Sequence, residues 1–451
     1  MKAPRLMIVA PHSGTGKTTM TMGILSALRQ RGVDTAAFKV GPDYIDPMFH
    51  RQVLHDRCIN LDPFLLGEVV LKESLSRYAK EMNIIEGVMG YYDGVGTDTT
   101  GSSYDVARMT KTPAVLVLRP KGQSVSLAAE VKGFLEFVED SQIRGVLFTE
   151  TTPMMATYYA KILDEHLGLK SFGCLPPMEE ASLGSRHLGL ITADEIGDLQ
   201  EKIEAVGKAV EEHVNLEGLM RLAEEAPDLE EERSSETPIG EVRLAIARDR
   251  AFSFYYDDAL ALLEELGVEL CPFSPLKDEA IPKGCHGVYL GGGYPELYAK
   301  TLAEAENFLE SLREANEEEM PILAECGGFM TLLESFREEE TSYPLAGILP
   351  GESHMGKSLR HFGYVHLTAQ GENLLCGEGE TLKGHEFHYS QSSDEGEVFL
   401  AQKPTGNRSW KVGHGNAHLY GGYPHIHLRG EREAATRFVR AMAAWKERHN
   451  G

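Results

Sequence analysis

No run of apolar side chains in this 451-residue sequence approaches the ~18 residues that a membrane-crossing helix needs, so no membrane partner is expected. The opening Met-Lys-Ala-Pro-Arg-Leu-Met-Ile-Val-Ala is too short and strand-like to read as a signal peptide. Cysteine is sparse: six residues, at 58, 174, 271, 285, 326 and 376, with no Cys-x-x-Cys pair among them. That scatter argues against a zinc ribbon or a disulfide framework and for a reducing, cytoplasmic setting. Basic residues fall short of acidic ones, 44 against 69, and the net charge is −25. No nucleic acid partner is expected, because neutralising a phosphate backbone needs a basic face. Internal repeats are missing, and the one biased stretch is acidic.

The length is too great for one ordinary core, and two or three domains are expected. Over residues 1–195 apolar runs alternate with helical periodicity, the pattern of a parallel α/β sheet. Strands are expected at 5–10, 35–40, 82–86, 114–118 and 143–148, with helices at 17–31, 69–81, 105–110 and 126–139. Residues 196–238 read as an acidic helical linker. A second α/β domain spans 239–451, with strands at 242–247, 268–272, 287–290 and 321–324 and further segments from Gly363 onward.

The segment Pro11-His-Ser-Gly-Thr-Gly-Lys-Thr-Thr19 follows the first strand and opens a helix, the context that makes a P-loop credible. Backbone N–H groups of Ser13, Gly14, Thr15, Gly16 and Lys17, with Thr18 and Thr19 at the helix start, can surround phosphate oxygens. Lys17 would reach the β- and γ-phosphates of ATP, and the Thr18 hydroxyl would hold Mg²⁺. Pro11 stands where the pattern has its first glycine. Glu86 closes a strand at the ligand-binding edge of such sheets and could hold the metal directly or through water. Lys39 closes another and leads into Val40-Gly-Pro-Asp-Tyr-Ile-Asp-Pro47, so that Lys39, Asp43 and Asp46 would share the P-loop edge. Read alone, 41–47 could equally be a turn with aspartate caps.

Cys326, in Glu325-Cys-Gly-Gly328, falls between an apolar strand and an amphipathic helix, the general form of a nucleophile elbow. A helix N-terminus there would lower the thiol pKa. Leu290-Gly-Gly-Gly-Tyr-Pro-Glu-Leu297 follows another strand, and its amides at Gly292 and Gly293, with that of Gly327, would form an oxyanion hole. The base must come from elsewhere, and His425 and His427 lie on one face of a short strand near the C-terminus. His385 and His388, in Gly384-His-Glu-Phe-His388, make a weak metal pattern and read better as packing or substrate contact.

Taken together and in order, these segments resemble the cobyrinate a,c-diamide synthase family nearly end to end. Phe38-Lys-Val-Gly-Pro-Asp-Tyr-Ile-Asp-Pro47, Glu86-Gly-Val-Met-Gly-Tyr-Tyr-Asp-Gly94, Ser185-Arg-His-Leu-Gly-Leu190, Gly291-Gly-Gly-Tyr-Pro-Glu-Leu-Tyr298, Ala324-Glu-Cys-Gly-Gly328 and Gly384-His-Glu-Phe-His-Tyr-Ser390 carry the match. The resemblance implies a dethiobiotin-synthetase-like domain followed by a class I glutamine-amidotransferase-like domain. It implies ATP-dependent amidation of a tetrapyrrole polycarboxylate through acyl phosphates, with ammonia drawn from L-glutamine. Lys17, Thr18, Asp46 and Glu86 take ATP–Mg²⁺ roles, and Lys39, Asp43, Tyr44 and Asp46 lie near the acyl phosphate and substrate. Arg186 and His187, or Arg360 and His361, are candidates for the basic groups that an anionic tetrapyrrole needs. Cys326 forms the thioester, and His425 aligns best with the catalytic histidine, His427 remaining the alternative. The family lacks the glutamate that other class I enzymes carry two residues after this histidine. Thr149 and Arg119 stand where the family's strands end in Asn and Asp. Nickel sirohydrochlorin is an alternative substrate to cobyrinate, a nonenzymatic P-loop binding protein a more distant alternative, and an oligomer is compatible with the sequence.

Overall fold

The apolar runs of the first half become the centre of a seven-stranded parallel sheet. Its strands are β1 (Arg5–Val9), β2 (Thr35–Val40), β3 (Cys58–Leu61), β4 (Met82–Glu86), β5 (Ala114–Leu118), β6 (Ile143–Thr149) and β7 (Ser171–Leu175), in the order β3-β2-β4-β1-β5-β6-β7. Strands β1 to β5 are buried along their whole length, as expected of a sheet covered on both faces. Helices α1 (Lys17–Gln30), α2 (Ile45–Leu54), α3 (Pro63–Tyr78), α4 (Ser103–Thr110), α5 (Ser126–Glu136) and α6 (Pro153–Leu167) provide the crossovers. The P-loop, β2 and β4 all end on the same edge, because β2 and β1 flank β4 in parallel register.

The computed structural model describes residues 1–178, 185–186, 189–190, 192–230 and 236–449, and the chain divides into two compact units, Met1–Ser234 and Ser235–Gly451. A small antiparallel pair, β8 (Ser185–Arg186) and β9 (Gly189–Leu190), belongs to the first unit. The segment 196–238, read as an acidic helical linker, contains two helices that pack. Helices α7 (Leu199–His213) and α8 (Leu216–Ala223) are part of the first unit, and α7 lies tightly along α1. A Cβ built on Gly23 would stand 2.5 Å from Val210 Cγ2 and 2.8 Å from Val206 Cγ1. The acidic side chains form the outer face of α7, while Ile203, Val206 and Val210 are buried.

The second unit has a six-stranded sheet built from β10 (Val242–Ala247), β11 (Val268–Phe273), β12 (Gly287–Leu290), β13 (Ile322–Glu325), β20 (His414–Gly415) and β21 (Leu419–Gly422), ordered β11-β10-β12-β13-β21-β20. All its pairings are parallel except that of the edge strand β20. A second, mainly antiparallel sheet contains β14 (Ser335–Glu338), β15 (Thr341–Pro344), β16 (Glu352–Ala369), β17 (Thr381–Ser392), β18 (Phe399–Gln402), β19 (Ser409–Val412) and β22 (His425–Ile426). Helices α9 (Asp257–Glu265), α10 (Ala299–Ala303), α11 (Glu306–Glu317), α12 (Gly327–Leu332) and α13 (Arg432–His449) complete the unit. Among the described residues no helix is long and apolar enough to cross a membrane.

Candidate active sites

The loop from Pro11 to Gly16 leaves β1 and hands the chain to α1, whose N-terminal residue is Lys17. Its ammonium donates to the carbonyls of Met89 (2.7 Å) and His12 (3.5 Å), so it lies folded over the loop. Burial lowers the Lys17 pKa to about 8, with Lys39 adding to that effect and Glu86, Asp46 and Asp93 opposing it. The Thr149 hydroxyl, at the end of β6, donates to the Thr15 carbonyl (2.5 Å), with the Leu118 carbonyl at 3.4 Å, and so ties the loop to the sheet. The residue that departs from the family pattern at this strand end is thus a support of the phosphate loop.

Glu86 is fully buried and is the hub of this edge. One carboxylate oxygen accepts from the Thr18 hydroxyl (2.9 Å) and the Lys39 ammonium (3.2 Å), and the other lies 2.6 Å from His50 Nε2. Burial favours its neutral form, but Lys39, His50 and Thr18 outweigh burial and hold the carboxyl well below the usual range. Lys39 also donates to Asp46 (2.6 Å) and the Gly87 carbonyl (3.1 Å), with Asp43 at 3.8 Å. Burial disfavours its charge, yet Asp46, Glu86 and Asp43 keep it protonated.

Asp43 has two roles. Its side chain accepts from the amides of Ile45 (2.8 Å) and Asp46 (3.2 Å), so the capping alternative holds for this residue while it also faces Lys39. Tyr44 is the residue immediately before α2. The loop is fixed from below by Asn60 on β3, which donates to the carbonyls of Gly41 (2.9 Å) and Asp43 (2.7 Å). His50 and Asn60 escaped the sequence reading because α2 and β3 did. Both elements follow a segment that looks like a turn, and Pro47 falls in the first turn of α2, where proline is tolerated. Arg186 lies in β8, but its side chain and the whole of His187 fall outside the described residues.

Three acids, Asp43, Asp46 and Glu86, face two lysines, and all the donors are hard oxygens. That set fits a divalent cation held with phosphate oxygens rather than by protein alone. Among the described residues no group of three or more His, Cys, Asp or Glu side chains could by itself hold a metal.

In the second unit Cys326 sits between β13 and α12 with φ 48°, ψ −102°, a strained conformation for a non-glycine residue. Its amide donates to Gly422 at the end of the neighbouring strand β21 (2.8 Å). The expected lowering of the thiol pKa does not occur. Burial and the negative charges of Glu296, Glu325 and Glu386 push it well up, against a smaller downward pull from the Gly327 N–H. A six-residue helix start cannot offset that desolvation, so the thiol needs a base. Gly293 comes close to Gly327 here: a Cβ built on Gly327 would lie 3.3 Å from Gly293 N.

His425 is buried against the same glycine strip. A Cβ built on Gly292 would come within 2.5 Å of His425 Cε1 and 3.3 Å of Nε2, so only glycine admits the imidazole there. The other ring nitrogen, Nδ1, lies 3.5 Å from a carboxylate oxygen of Glu325. His427 has different surroundings. It stacks on Tyr256 (centroids 4.4 Å apart, 15° between planes), and burial, with Arg429 adding and Asp258 opposing, lowers its pKa to about 4. The adjoining Arg429 pairs with Asp258 (2.9 Å) and Glu265 (2.7 Å), which marks this corner as packing. His385 faces His425 across the β17–β22 pair, and His388 stacks on Tyr423 (3.9 Å) while contacting Glu386 (3.0 Å).

Residues 6–219 match the family model described as CobQ/CobB/MinD/ParA nucleotide binding domain, and residues 243–433 the one described as CobB/CobQ-like glutamine amidotransferase domain. The cobyrinate a,c-diamide synthase of Caldanaerobacter subterraneus subsp. tengcongensis is 38% identical over 439 residues, covering 96% of this chain and 97% of that protein. The enzyme of the same name from Clostridium tetani is 38% identical over 441 residues (97% and 99% covered), and that of Priestia megaterium 36% identical over 459 residues, each chain covered in full. The nucleotide-binding match carries the phosphate loop and the amidotransferase match carries the cysteine elbow. The chain belongs to the cobyrinate a,c-diamide synthase family.

Proposed function

We propose that this ligase amidates the a and c side-chain carboxylates of cobyrinate, with glutamine as nitrogen donor and ATP as activator. The reading rests above all on 36–38% identity, over nearly the whole chain, to proteins named for that reaction. The chemistry of each site supports it independently. A carboxylate is a poor electrophile, and ATP with Mg²⁺ would supply the phosphoryl group that turns one carboxylate oxygen into part of a leaving group. Lys17 and the loop amides bind and neutralise the phosphates. Thr18 and Asp46 offer oxygens to the cation, and Glu86 fixes Thr18 and Lys39 in place. Lys39, charged and buried, faces Asp43 and Asp46 where the substrate carboxylate would lie.

At the second site His425 Nε2 takes the Cys326 proton as sulfur attacks the glutamine amide carbon. The same proton goes to the departing nitrogen as the C–N bond breaks, giving ammonia and a glutamyl thioester. The Gly292, Gly293 and Gly327 strip receives the oxyanion. Water then releases glutamate with His425 again taking the proton, and the ammonia displaces phosphate from the activated carboxylate.

Incubation with cobyrinate, glutamine and Mg²⁺–ATP should yield the a,c-diamide, read by mass spectrometry as stepwise exchange of hydroxyl for amino groups. Conversion of nickel sirohydrochlorin alone would replace the substrate, and turnover of neither would overturn the reading. Lys17→Ala should cut ATP-dependent amidation by roughly 100-fold or more while glutaminase activity persists.

A further inference from the structure

We infer that Glu325, the residue immediately before the nucleophile, is the carboxylate that positions His425, taking the place of the acid other class I enzymes carry two residues after their histidine. The inference rests on the amidotransferase reading of Cys326. It starts from a gap in the sequence: His427 occupies the expected acid position and is committed to stacking on Tyr256. The relay still needs an anion, because the imidazole must present a bare Nε2 to a thiol whose own pKa is pushed up.

Glu325 is 1% exposed and aims both oxygens at the strand that carries His425. Oε1 accepts from the Ile426 amide (3.0 Å), fixing the backbone beside the histidine. Oε2 accepts from the Tyr289 hydroxyl (3.1 Å) and lies 3.5 Å from His425 Nδ1. Parallel pairing places it there: Glu325 stands opposite Gly422, three positions before His425. A carboxylate at Nδ1 selects the tautomer protonated on that nitrogen, leaves Nε2 free to accept, and steadies the imidazolium that forms when Cys326 is deprotonated. Glu325 does not touch the substrate. It is a positioning residue.

The test is Glu325→Gln, whose amide oxygen can still accept from Ile426. Glutamine-dependent kcat should fall roughly 100-fold or more, by analogy with acid-to-amide changes in such relays. Amidation with high ammonium should stay within about twofold of the parent. ¹⁵N spectra of histidine-labelled protein, with His425 assigned from the His425→Asn difference, should show Nδ1 protonated and Nε2 bare. Because that measurement uses the unmodified protein, it decides the matter even if the variant folds poorly. An Nε2-protonated resting tautomer, or a Glu325→Gln variant with parental glutaminase, overturns the inference. Cys326→Ala separates the two levels. If it is inactive with glutamine while Glu325→Gln is unimpaired, only the Glu325 role fails; if it too is unimpaired, the amidotransferase reading fails first.

Discussion

Lys17 illustrates how a single side chain ties charge to ligand. With its pKa lowered to about 8, the ammonium is half deprotonated near pH 8 until phosphate arrives. A bound polyanion favours the charged form, so above that pH nucleotide binding must take up a proton and affinity must fall as pH rises. Calorimetry at pH 8.5 in two buffers of different ionisation enthalpy should register net proton uptake, and Lys17→Arg should abolish it. The two C-terminal histidines also separate at this scale. His425→Ala should lose glutaminase activity with little change in ammonia-dependent amidation. His427→Ala should instead lower stability by about 1–3 kcal/mol through lost stacking and packing, with glutaminase retained in the folded fraction. Thermal unfolding and a glutaminase assay on both variants check the pair of outcomes.

Among elements, the contact of α1 with α7 makes an unusual demand. Alanine favours helix over glycine, yet Gly23→Ala should destabilise the first unit by about 1–3 kcal/mol, because its methyl would meet Val206 and Val210. Denaturant unfolding of the variant measures this, and a gain in stability would mean that α7 is easily displaced. The same helix marks a boundary of what the sequence reveals. Strands β1, β2, β4, β5 and β6 were legible because buried parallel strands are continuous apolar runs. Helix α7 reads as linker because its charged outer face dominates the composition, while its buried residues, among them Ile203, Val206 and Val210, carry the packing. The P-loop and the elbow were legible for another reason: each is a short local pattern dictated by backbone geometry. Glu325, His50, Asn60 and Thr149 were not, since each acts across neighbouring strands or helices. Thr149 meets Thr15 over a separation of 134 residues, and no local spacing records that contact.

On the scale of the whole molecule, the division into two units predicts that the two chemistries come apart. Cys326→Ala should lose glutamine-dependent amidation yet keep activity with high ammonium at a pH where free ammonia is appreciable. On the proposed mechanism, acyl activation at Lys17, Thr18 and Glu86 has no need of a thiol. A variant that used glutamine as well as the parent would make Cys326 a structural residue. The complementary lesion, Lys17→Ala, should leave a glutaminase that amidates nothing, and mixing the two variants tests whether ammonia released by one molecule serves another.

The raised thiol also bears on durability. Peroxide and alkylating agents attack the thiolate, and a sulfur kept protonated by burial and three nearby acids offers them little of it. Between turnovers the enzyme is therefore expected to resist oxidative inactivation better than free cysteine does at neutral pH, as a peroxide titration followed by a glutaminase assay would measure. On the proposed mechanism, reactivity resides in the encounter with the imidazole and the amide, not in the resting protein.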